Sequence, residues 1–202
     1  MSRTEFFRKI ADLVRPEDVS RVAWAYWLAK EVHKSQKRDG GERYFEHCRR
    51  VALMAIDYGC HDADSVIVSL LHDSLEDSFI PLILIRKMFG AEVEDALCAI
   101  SKTEIHFFEY NGSVHKSKKD LGLYFKGIMN YPKTDLKVIK CADRLDNLRS
   151  MNNGKWPPVR RLKYINETVE HLLPIAFSVE GHGGKVYRDL RSITLGLAAN
   201  LD

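Results

Sequence analysis

The segment around His72 and Asp73 combines residue types that bind divalent cations. It reads Leu-Leu-His-Asp-Ser-Leu-Glu-Asp and follows an apolar run at 66–71. Residues four apart share one face of a helix, so His72 is expected to lie over Glu76, and the next pair, Asp73 and Asp77, follows the same rule. A buried group of acids and a histidine is unfavourable unless a cation lies among them. A metal site is one interpretation, and a polar helix end on the surface is the other.

His47 is a second candidate ligand. It lies near the expected start of a helix, directly after the polar loop at 35–41. Taken alone, a histidine in that place is more often a cap or a surface residue than a metal ligand. The assignment of His47 as a ligand therefore depends on other ligand groups in the sequence.

The run at 140–150 places polar groups along one face of an expected helix. Lys140, Asp143 and Asn147 share that face, and Ser150 lies one turn further along. Apolar residues of the same run can face the core. An ordinary amphipathic helix with a solvated side also explains this spacing.

Helical periodicity extends through nearly the whole chain and must position these residues. Start and stop signals predict helices at about 19–30, 44–58 and 136–151, and either Asp62 or Asp64 can cap the helix that ends in the His-Asp pair. Two further helices close the chain. Because no alternating strand pattern of useful length is visible, the fold class is predicted to be all-α.

The segment 103–119 is the least regular part of the sequence. We interpret it as a mobile loop, placed over the site. A turn is expected at 152–158, and the last two helices are expected to separate near 181–184. With no repeat and no low-complexity tract, residues 1–202 are predicted to form a single domain.

Composition limits the classes of partner. The chain has 202 residues, a formal net charge of +3 and a 45% apolar fraction, values typical of a soluble globular protein. The absence of a polybasic tract argues against a nucleic-acid partner, and no apolar run approaches the roughly 20 residues that a membrane span needs. The cysteines lack metal-site spacing and are expected to be reduced thiols of a cytoplasmic protein. Oligomeric state is left open.

In chain order, His47, the His72-Asp73 pair and Asp143 give the pattern of the HD phosphohydrolase superfamily. Two imidazoles and two carboxylates suit Mn²⁺, with Fe²⁺ or Mg²⁺ as alternatives, whereas structural zinc favours thiolates. Four protein ligands on an ion that accepts six leave room for water and for a substrate oxygen. Such an ion lowers the pKa of water and polarises a phosphoryl group.

The flanking residues resemble the hydrolase domain of the RelA/SpoT homologues, which remove the 3′-pyrophosphate from guanosine tetra- and pentaphosphate. The likeness lies in five stretches, at 71–78, 89–90, 101–103, 140–151 and 167–176. Its most specific parts are the Glu-Asp pair and the Ala-Asp-Arg-Leu-x-Asn run. The resemblance implies an HD-domain helical bundle whose motif-bearing core spans about 20–178.

The resemblance also implies a role for each matching residue. The ligands of a Mn²⁺-like ion would be His47, His72, Asp73 and Asp143. Glu76 and Asp77 would be the catalytic carboxylates that orient or deprotonate the attacking water, from within hydrogen-bond reach. The substrate-binding residues would be Arg38, Lys140, Arg144, Asn147 and Ser150. Arg38 would stack on the base, while for Lys140 and Arg144 an internal salt bridge is an equal alternative.

The sequence departs from the family pattern in and around the polar loop. Asp39 follows Arg38 where the family has lysine, and Arg43 stands in place of a proline. An anion instead of a cation beside the expected base site leaves the guanine preference open. Cys48 and Asp146 are further departures, with Asp146 standing where histidine or tyrosine is common. None of these affects the expected metal ligands or the Glu-Asp pair.

These observations favour a stand-alone, metal-dependent 3′-pyrophosphohydrolase of a guanosine alarmone, whose partner is a small nucleotide. A second hypothesis keeps the metal site but assigns another nucleotide, and Asp39 motivates it: an adenosine alarmone, a nicotinamide dinucleotide phosphate or a deoxynucleotide. A third is a non-catalytic module that binds a nucleotide or a protein. Retention of all four expected ligands and of both carboxylates argues against the third.

Overall fold

Helices account for most of the residues that the computed structural model describes, which are 2–108, 113–151, 156–179 and 183–200. The N-terminal half contains α1 (Arg3–Ala11), a 3₁₀ turn (Pro16–Asp18), α2 (Val19–Val32), α3 (Tyr44–Asp57), α4 (Ala63–Leu71), α5 (Ser74–Asp77), α6 (Leu82–Phe89) and α7 (Ala91–Ile100). The C-terminal half contains β1 (Thr103–Phe108), β2 (Ser113–Lys118), α8 (Leu121–Met129), α9 (Thr134–Met151), α10 (Pro158–Glu167), a π-helical turn (Thr168–Leu172), α11 (Leu173–Phe177) and α12 (Gly183–Ala198). The expected all-α bundle is confirmed, with a small two-stranded sheet beside it. Within the described ranges, no helix is long and apolar enough to cross a bilayer.

α4 lies in the centre of the bundle because it is apolar on every face. Its residues 65–71 are all buried, and it packs against α2, α3, α7 and α9. Asp62 is its N-cap, since the Asp62 carboxylate accepts a hydrogen bond from the backbone N–H of Ser65 at 2.9 Å. Of the two caps expected from the sequence, Asp62 is therefore the correct one. The other end of α4 places the pair His72-Asp73 in the interior.

The helix is interrupted at this pair, contrary to the expectation of one continuous helix. Asp73 has φ −96° and ψ −4°, which departs from regular helical values and separates α4 from the single turn α5. Asp73 and Asp77 still lie one helical turn apart, because the backbone N–H of Asp77 donates to the carbonyl O of Asp73 at 3.0 Å. His72 and Glu76 belong to the two segments that the break separates, and Glu76 accepts a hydrogen bond from the backbone N–H of Lys102.

α9 and α3 flank the end of α4 and position the remaining site residues. α9 is the longest described helix, with 18 residues, and the side chains of 140–146 are all buried. The polar loop before α3 is held by backbone hydrogen bonds, from Arg38 N to Glu42 O at 2.8 Å and from Tyr44 N to Gln36 O at 3.1 Å. The loop therefore has a defined shape in front of α9.

The expectation of an irregular loop at 103–119 is wrong, because β1 and β2 pair there as an antiparallel hairpin. Thr103 and Ile105 are half-buried while Glu104 and His106 are exposed, which is the period-two pattern of a strand. The pattern is weak in the sequence because most of the hairpin surface is solvated. The pair Asn111-Gly112 between the strands is a hairpin-turn signal in the sequence. These two residues lie outside the described ones.

The C-terminal helices pack across α9. α10, the π-helical turn and α11 follow one another directly, and α12 packs against α9 and α11. Single π-helical turns are frequent at functional sites, and this one directly follows Glu167, which lies beside the site. The turn expected at 152–158 and the break expected at 181–184 fall largely outside the described residues.

Candidate metal centre and nucleotide pocket

The four expected metal ligands lie together in the interior. One ligand atom from each of His47, His72 and Asp73 lies within 4.8 Å of the other two. Oδ1 of Asp143 lies 3.4 Å from Nε2 of His47 and 3.7 Å from Nε2 of His72. The start of α3, the end of α4 and the middle of α9 therefore converge on one point. The alternatives of a surface helix end and a surface histidine do not hold, because both imidazoles are buried.

Each imidazole has one nitrogen engaged and one free to bind a ligand. Nδ1 of His47 lies 2.7 Å from Oδ2 of Asp146, and Nδ1 of His72 donates to the carbonyl O of Ser69 at 2.8 Å. The two Nε2 atoms are buried and have no hydrogen-bond partner. A proton on Nδ1 leaves a lone pair on Nε2, which is the form that binds a metal. Two such nitrogens facing two carboxylates fit a divalent cation.

The pKa values of the cluster show its affinity for positive charge. Burial by itself lowers the pKa of His47, but the carboxylates of Asp143, Asp146 and Asp73 around the ring outweigh burial and raise it to about 9. The pKa of His72 is likewise raised well above its ordinary value, because Asp73 and Asp143 oppose the effect of burial. In the reverse direction, the imidazoles hold the pKa of Asp73 well below its usual range despite burial. A metal cation can take the place of these protons.

Glu76 and Asp77 lie on α5, directly after the cluster. Oε1 of Glu76 accepts a hydrogen bond from the backbone N–H of Lys102 at 2.6 Å, and Oδ2 of Asp77 lies 3.6 Å from Nδ1 of His33. Burial raises the pKa of both carboxyl groups. A raised carboxyl pKa lies closer to the neutral range in which a general base is effective.

Arg38 contacts three polar side chains of α9. Its guanidinium donates to Oδ2 of Asp146 at 2.8 Å, to Oγ of Ser150 at 2.9 Å and to Oδ1 of Asn147. Nδ2 of Asn147 in turn donates to Oδ1 of Asp143 at 2.6 Å. The structure therefore brings together three of the expected substrate-binding residues, and hydrogen bonds connect them to the metal cluster.

Lys140 and Arg144, the other two expected substrate-binding residues, are engaged in buried ion pairs. Nζ of Lys140 lies 2.9 Å from Oδ2 of Asp143. The Arg144 guanidinium pairs with Glu167 and lies 3.7 Å from the centroid of the Tyr164 ring. The alternative of an internal salt bridge therefore describes both residues in this structure.

Three contacts of the site were not anticipated from the sequence. The Tyr44 hydroxyl donates to Oδ2 of Asp73 at 2.6 Å, and the Tyr44 ring stacks on His33 with centroids 4.8 Å apart. Nζ of Lys102 pairs with Glu167 at 3.1 Å. Tyr44 and His33 flank the polar loop, and their proximity to the expected site in the sequence was the available signal. Nothing in the spacing links Lys102 to Glu167.

A cleft of about 240 Å³ adjoins Arg38, with walls that include Tyr44, Asn147, Ser150, Trp156 and Tyr164. Asp39, the departure from the family pattern, lies at its edge. There Arg160 donates to the Asp39 carboxylate at 3.3 Å, and the Arg160 guanidinium lies 3.9 Å from the Trp156 ring centroid. The added anion therefore faces a cation from α10.

A family model for the HD domain matches residues 25–170, which include every element of the metal cluster. The chain belongs to the HD domain family. The matched range covers most of the chain, and the expected family is confirmed.

Among curated proteins, the chain is similar to RelA/SpoT homologues, as its sequence indicated. It is 32% identical over 161 residues to a probable GTP diphosphokinase RSH3 of Arabidopsis thaliana, covering 79% of this chain and 22% of that protein. It is 31% identical over 163 residues to a guanosine-3′,5′-bis(diphosphate) 3′-pyrophosphohydrolase of Aquifex aeolicus, covering 80% of this chain and 22% of that protein. The chain thus spans less than a quarter of the length of these relatives.

A solved structure of a metazoan orthologue of SpoT, described as hydrolysing ppGpp, has the same fold. Its TM-score to this chain is 0.70 at 20% sequence identity, and the match covers 90% of this chain and 97% of the other. At this identity the match supports the fold, and the HD-domain helical bundle is confirmed.

Proposed function

We propose that this chain is a Mn²⁺-dependent hydrolase that removes the 3′-pyrophosphate from guanosine tetraphosphate and pentaphosphate, giving GDP or GTP and pyrophosphate. The observation that carries the proposal is the pair of buried, unpartnered Nε2 atoms of His47 and His72 that faces Asp73 and Asp143. The relatives that bear the name of this reaction support the choice of substrate.

The metal ligands in this proposal are His47, His72, Asp73 and Asp143. Imidazole and carboxylate ligands suit Mn²⁺, with Fe²⁺ and Mg²⁺ as alternatives. When bound, such an ion lowers the pKa of water and polarises the scissile phosphoryl group. The Tyr44 hydroxyl and the Asn147 amide orient the two carboxylates through hydrogen bonds of 2.6 Å each.

Glu76 is the proposed general base that takes the proton of the attacking water. The backbone N–H of Lys102 fixes one oxygen of this carboxylate, and burial raises its pKa toward the pH at which a base works best. Asp77 is proposed to orient the same water, with His33 packed behind it at 3.6 Å. Proton transfer to a positioned base such as Glu76 contributes typically about 10²- to 10⁴-fold to a rate.

Two lysines are proposed to neutralise the leaving pyrophosphate. Burial raises the pKa of Glu76 and the charge of the nearby Lys140 opposes this rise, while Lys116 on β2 donates to the carbonyl oxygens of Glu76 and Ser78. Cations held next to the position where negative charge develops stabilise a transition state. Lys140 serves this role together with its ion pair to Asp143.

The nucleoside is proposed to bind beside Arg38 in the adjoining cleft. Arg38, Asn147 and Ser150 offer hydrogen-bonding groups there, and Trp156 adds an aromatic face on which a base can stack. In this placement, Asn147 and Ser150 of α9 both contact the nucleoside.

Hydrolysis of another nucleotide is a second candidate, and one observation favours it. The pair of Asp39 and Arg160 stands at the edge of the cleft, where the family pattern has a lysine. This exchange changes the charge that a base or a 5′-phosphate meets. An adenosine alarmone, NADPH and a deoxynucleotide are the substrates to compare.

We further propose that residues 1–202 form one domain that acts in the cytoplasm on a small nucleotide, without a nucleic-acid or membrane partner. The cysteines of the chain are free thiols, which suits a reducing compartment. The small net charge of +3 gives no support for a polyanionic partner.

The test is pyrophosphate release by the full chain, stripped of metal with a chelator and reloaded with Mn²⁺. We expect turnover of guanosine tetraphosphate that requires Mn²⁺ and that is lost in Asp73→Ala. A matched control is Asp12→Ala, an exposed carboxylate far along the chain from the cluster. Comparison of kcat/KM across the four nucleotide classes separates the two candidates. A preference for another nucleotide by orders of magnitude contradicts the first, and no turnover of any contradicts both.

A further inference from the structure

Asp146 lies at the centre of a charged cluster between α9, α3 and the polar loop. The residue is 4% exposed, and both of its carboxylate oxygens are engaged. Oδ1 accepts a hydrogen bond from Nε of Arg50 at 2.7 Å. Oδ2 accepts from Nη1 of Arg38 at 2.8 Å and from Nη2 of Arg50 at 3.1 Å, and lies 2.7 Å from Nδ1 of His47. One side chain therefore connects three cationic or donor groups.

The contact with His47 determines which imidazole nitrogen faces the metal cluster. Because Oδ2 of Asp146 can only accept, Nδ1 of His47 must carry the proton, and Nε2 presents its lone pair toward Asp143. A carboxylate on the far nitrogen of a metal-binding histidine fixes the ring orientation and raises its basicity. Removing such a partner typically weakens metal binding 10- to 100-fold.

The contact with Arg38 fixes the position of a residue at the nucleotide cleft. Arg38 is held by Asp146 on one nitrogen and by Ser150 and Asn147 on the other. Asp146 is the anionic partner of this set. Without its charge, the guanidinium would keep only neutral acceptors, and charge-assisted hydrogen bonds are roughly twice as strong as neutral ones.

The departure from the family pattern at this position has a chemical consequence. A histidine ring offers at most one acceptor nitrogen and a tyrosine offers one hydroxyl, so neither can accept from Arg38, Arg50 and His47 together. Arg50 balances the charge of Asp146 and is itself held by Glu42 through two contacts of 2.6 and 2.8 Å. The arrangement of Asp146 and Arg50 therefore requires a carboxylate at this position.

We propose that Asp146 is a positioning residue that couples the metal centre to the nucleotide cleft. It holds the metal ligand His47 and the cleft residue Arg38 through one oxygen atom, Oδ2. The inference rests on the proposed function where the KM for a nucleotide is measured. The measurement of Mn²⁺ binding needs no substrate. A side chain that only filled space would affect stability and neither of these quantities.

The experiment compares Asp146→Asn with Glu42→Gln in the full chain. Asp146→Asn keeps the side-chain volume and removes the charge, while Glu42→Gln breaks the outer ion pair of Arg50 and leaves His47 and Arg38 in place. Calorimetric titration of the metal-free proteins with Mn²⁺ gives the dissociation constant, and thermal unfolding followed by circular dichroism reports folding. We expect Mn²⁺ binding about 10- to 100-fold weaker in Asp146→Asn and unchanged in Glu42→Gln.

The nucleotide readout is the KM for guanosine tetraphosphate at saturating Mn²⁺, which we expect to rise in Asp146→Asn. If Asp146→Asn does not fold, Asp146→Glu keeps the charge but displaces the oxygens, and we expect weaker Mn²⁺ binding there as well. A folded variant of either kind that binds Mn²⁺ within twofold of the parent overturns the proposal. A parent that binds Mn²⁺ but turns over no nucleotide contradicts the proposed function alone, because the calorimetric comparison still stands.

Discussion

Two groups of buried charge meet α9 at the neighbouring residues Asp143 and Arg144 and are built differently. At Asp143, the imidazole Nε2 atoms of His47 and His72 have no hydrogen-bond partner among the described residues and face the carboxylates of Asp73 and Asp143. In the second group, Arg144 and Lys102 share Glu167, and the Arg144 guanidinium lies on the Tyr164 ring. In the first group Lys140 pairs with Asp143 while the Asp73 carboxylate faces the imidazoles and Tyr44, whereas the second group pairs its carboxylate with two cations.

This difference is a criterion that separates residues that bind a ligand from residues that stabilise the fold. Buried charge that is paired within the protein contributes to the native state, and loss of one partner destabilises it. A buried anionic cluster with free lone pairs is completed only by a cation. Substitutions in the two groups should therefore differ in what they do to function: loss of metal binding and turnover in the first group, and loss of stability with little loss of turnover in the second.

The largest effect on turnover is expected at Asp143. Asp143→Asn removes a charged ligand while keeping the side-chain volume, so Mn²⁺ binding should be lost and kcat/KM should fall by about 10³-fold or more. The melting temperature of the metal-free protein should also fall, because Lys140 loses its buried ion-pair partner, so binding and turnover are compared at a temperature where the variant is folded. Pyrophosphate release and Mn²⁺ calorimetry measure the two quantities. Unchanged Mn²⁺ binding in Asp143→Asn would mean that the metal binds at another site.

A smaller loss of turnover, about 10²-fold in kcat, is expected for Glu76→Gln, since the amide cannot accept the proton of the attacking water. Mn²⁺ binding should be retained, which separates Glu76 from the ligands. Steady-state rates at saturating Mn²⁺ measure the effect, and Glu92→Gln, at an exposed position on α7, is the matched control. If Glu76→Gln weakens Mn²⁺ binding instead, Glu76 is a ligand and the assigned division of roles fails.

The smallest effect on turnover is expected at Arg144, where stability should change most. Arg144→Met leaves Glu167 with Lys102 as its cationic partner, and the free energy of unfolding should fall by about 3 kcal/mol, the lower end of the range for breaking a buried ion pair. Urea denaturation measures it, and the double variant with Glu167→Met should recover part of the loss. We expect kcat/KM to change less than tenfold at a temperature where the variant is folded. A large loss of kcat/KM without a loss of stability would assign Arg144 to the substrate.

The sequence was sufficient for those parts of the fold and site that depend on short spacings. Short spacings predict a cap for α4 at Asp62 or Asp64, a helix that begins at Tyr44 and a face shared by Asp143 and Asn147, and the hydrogen bond of Asp62 decides between the two caps. The hairpin at 103–118 was missed because its exposed faces lack a strong apolar alternation. The break at Asp73 depends on backbone angles that no propensity predicts.

Contacts between distant segments could not be predicted in the same way. The pairing of Lys102 with Glu167 joins residues 65 apart, and that of Arg38 with Asp146 joins residues 108 apart. Asp146 was noted as a departure, but its partners depend on how α3 and the polar loop pack on α9. The family resemblance implies the proposed ligands, while the packing determines which neighbours hold them.

The measurement that tests the central claim most directly is pulsed electron paramagnetic resonance of the Mn²⁺-loaded chain. Electron-spin-echo modulation detects ¹⁴N nuclei bound to Mn²⁺, and selective ¹⁵N labelling of histidine identifies their source. We predict two histidine nitrogens coupled to one Mn²⁺ ion, with one coupling lost in His47→Gln and the other in His72→Gln. A Mn²⁺ ion bound without histidine nitrogen coupling would contradict the assignment of this cluster as the metal centre.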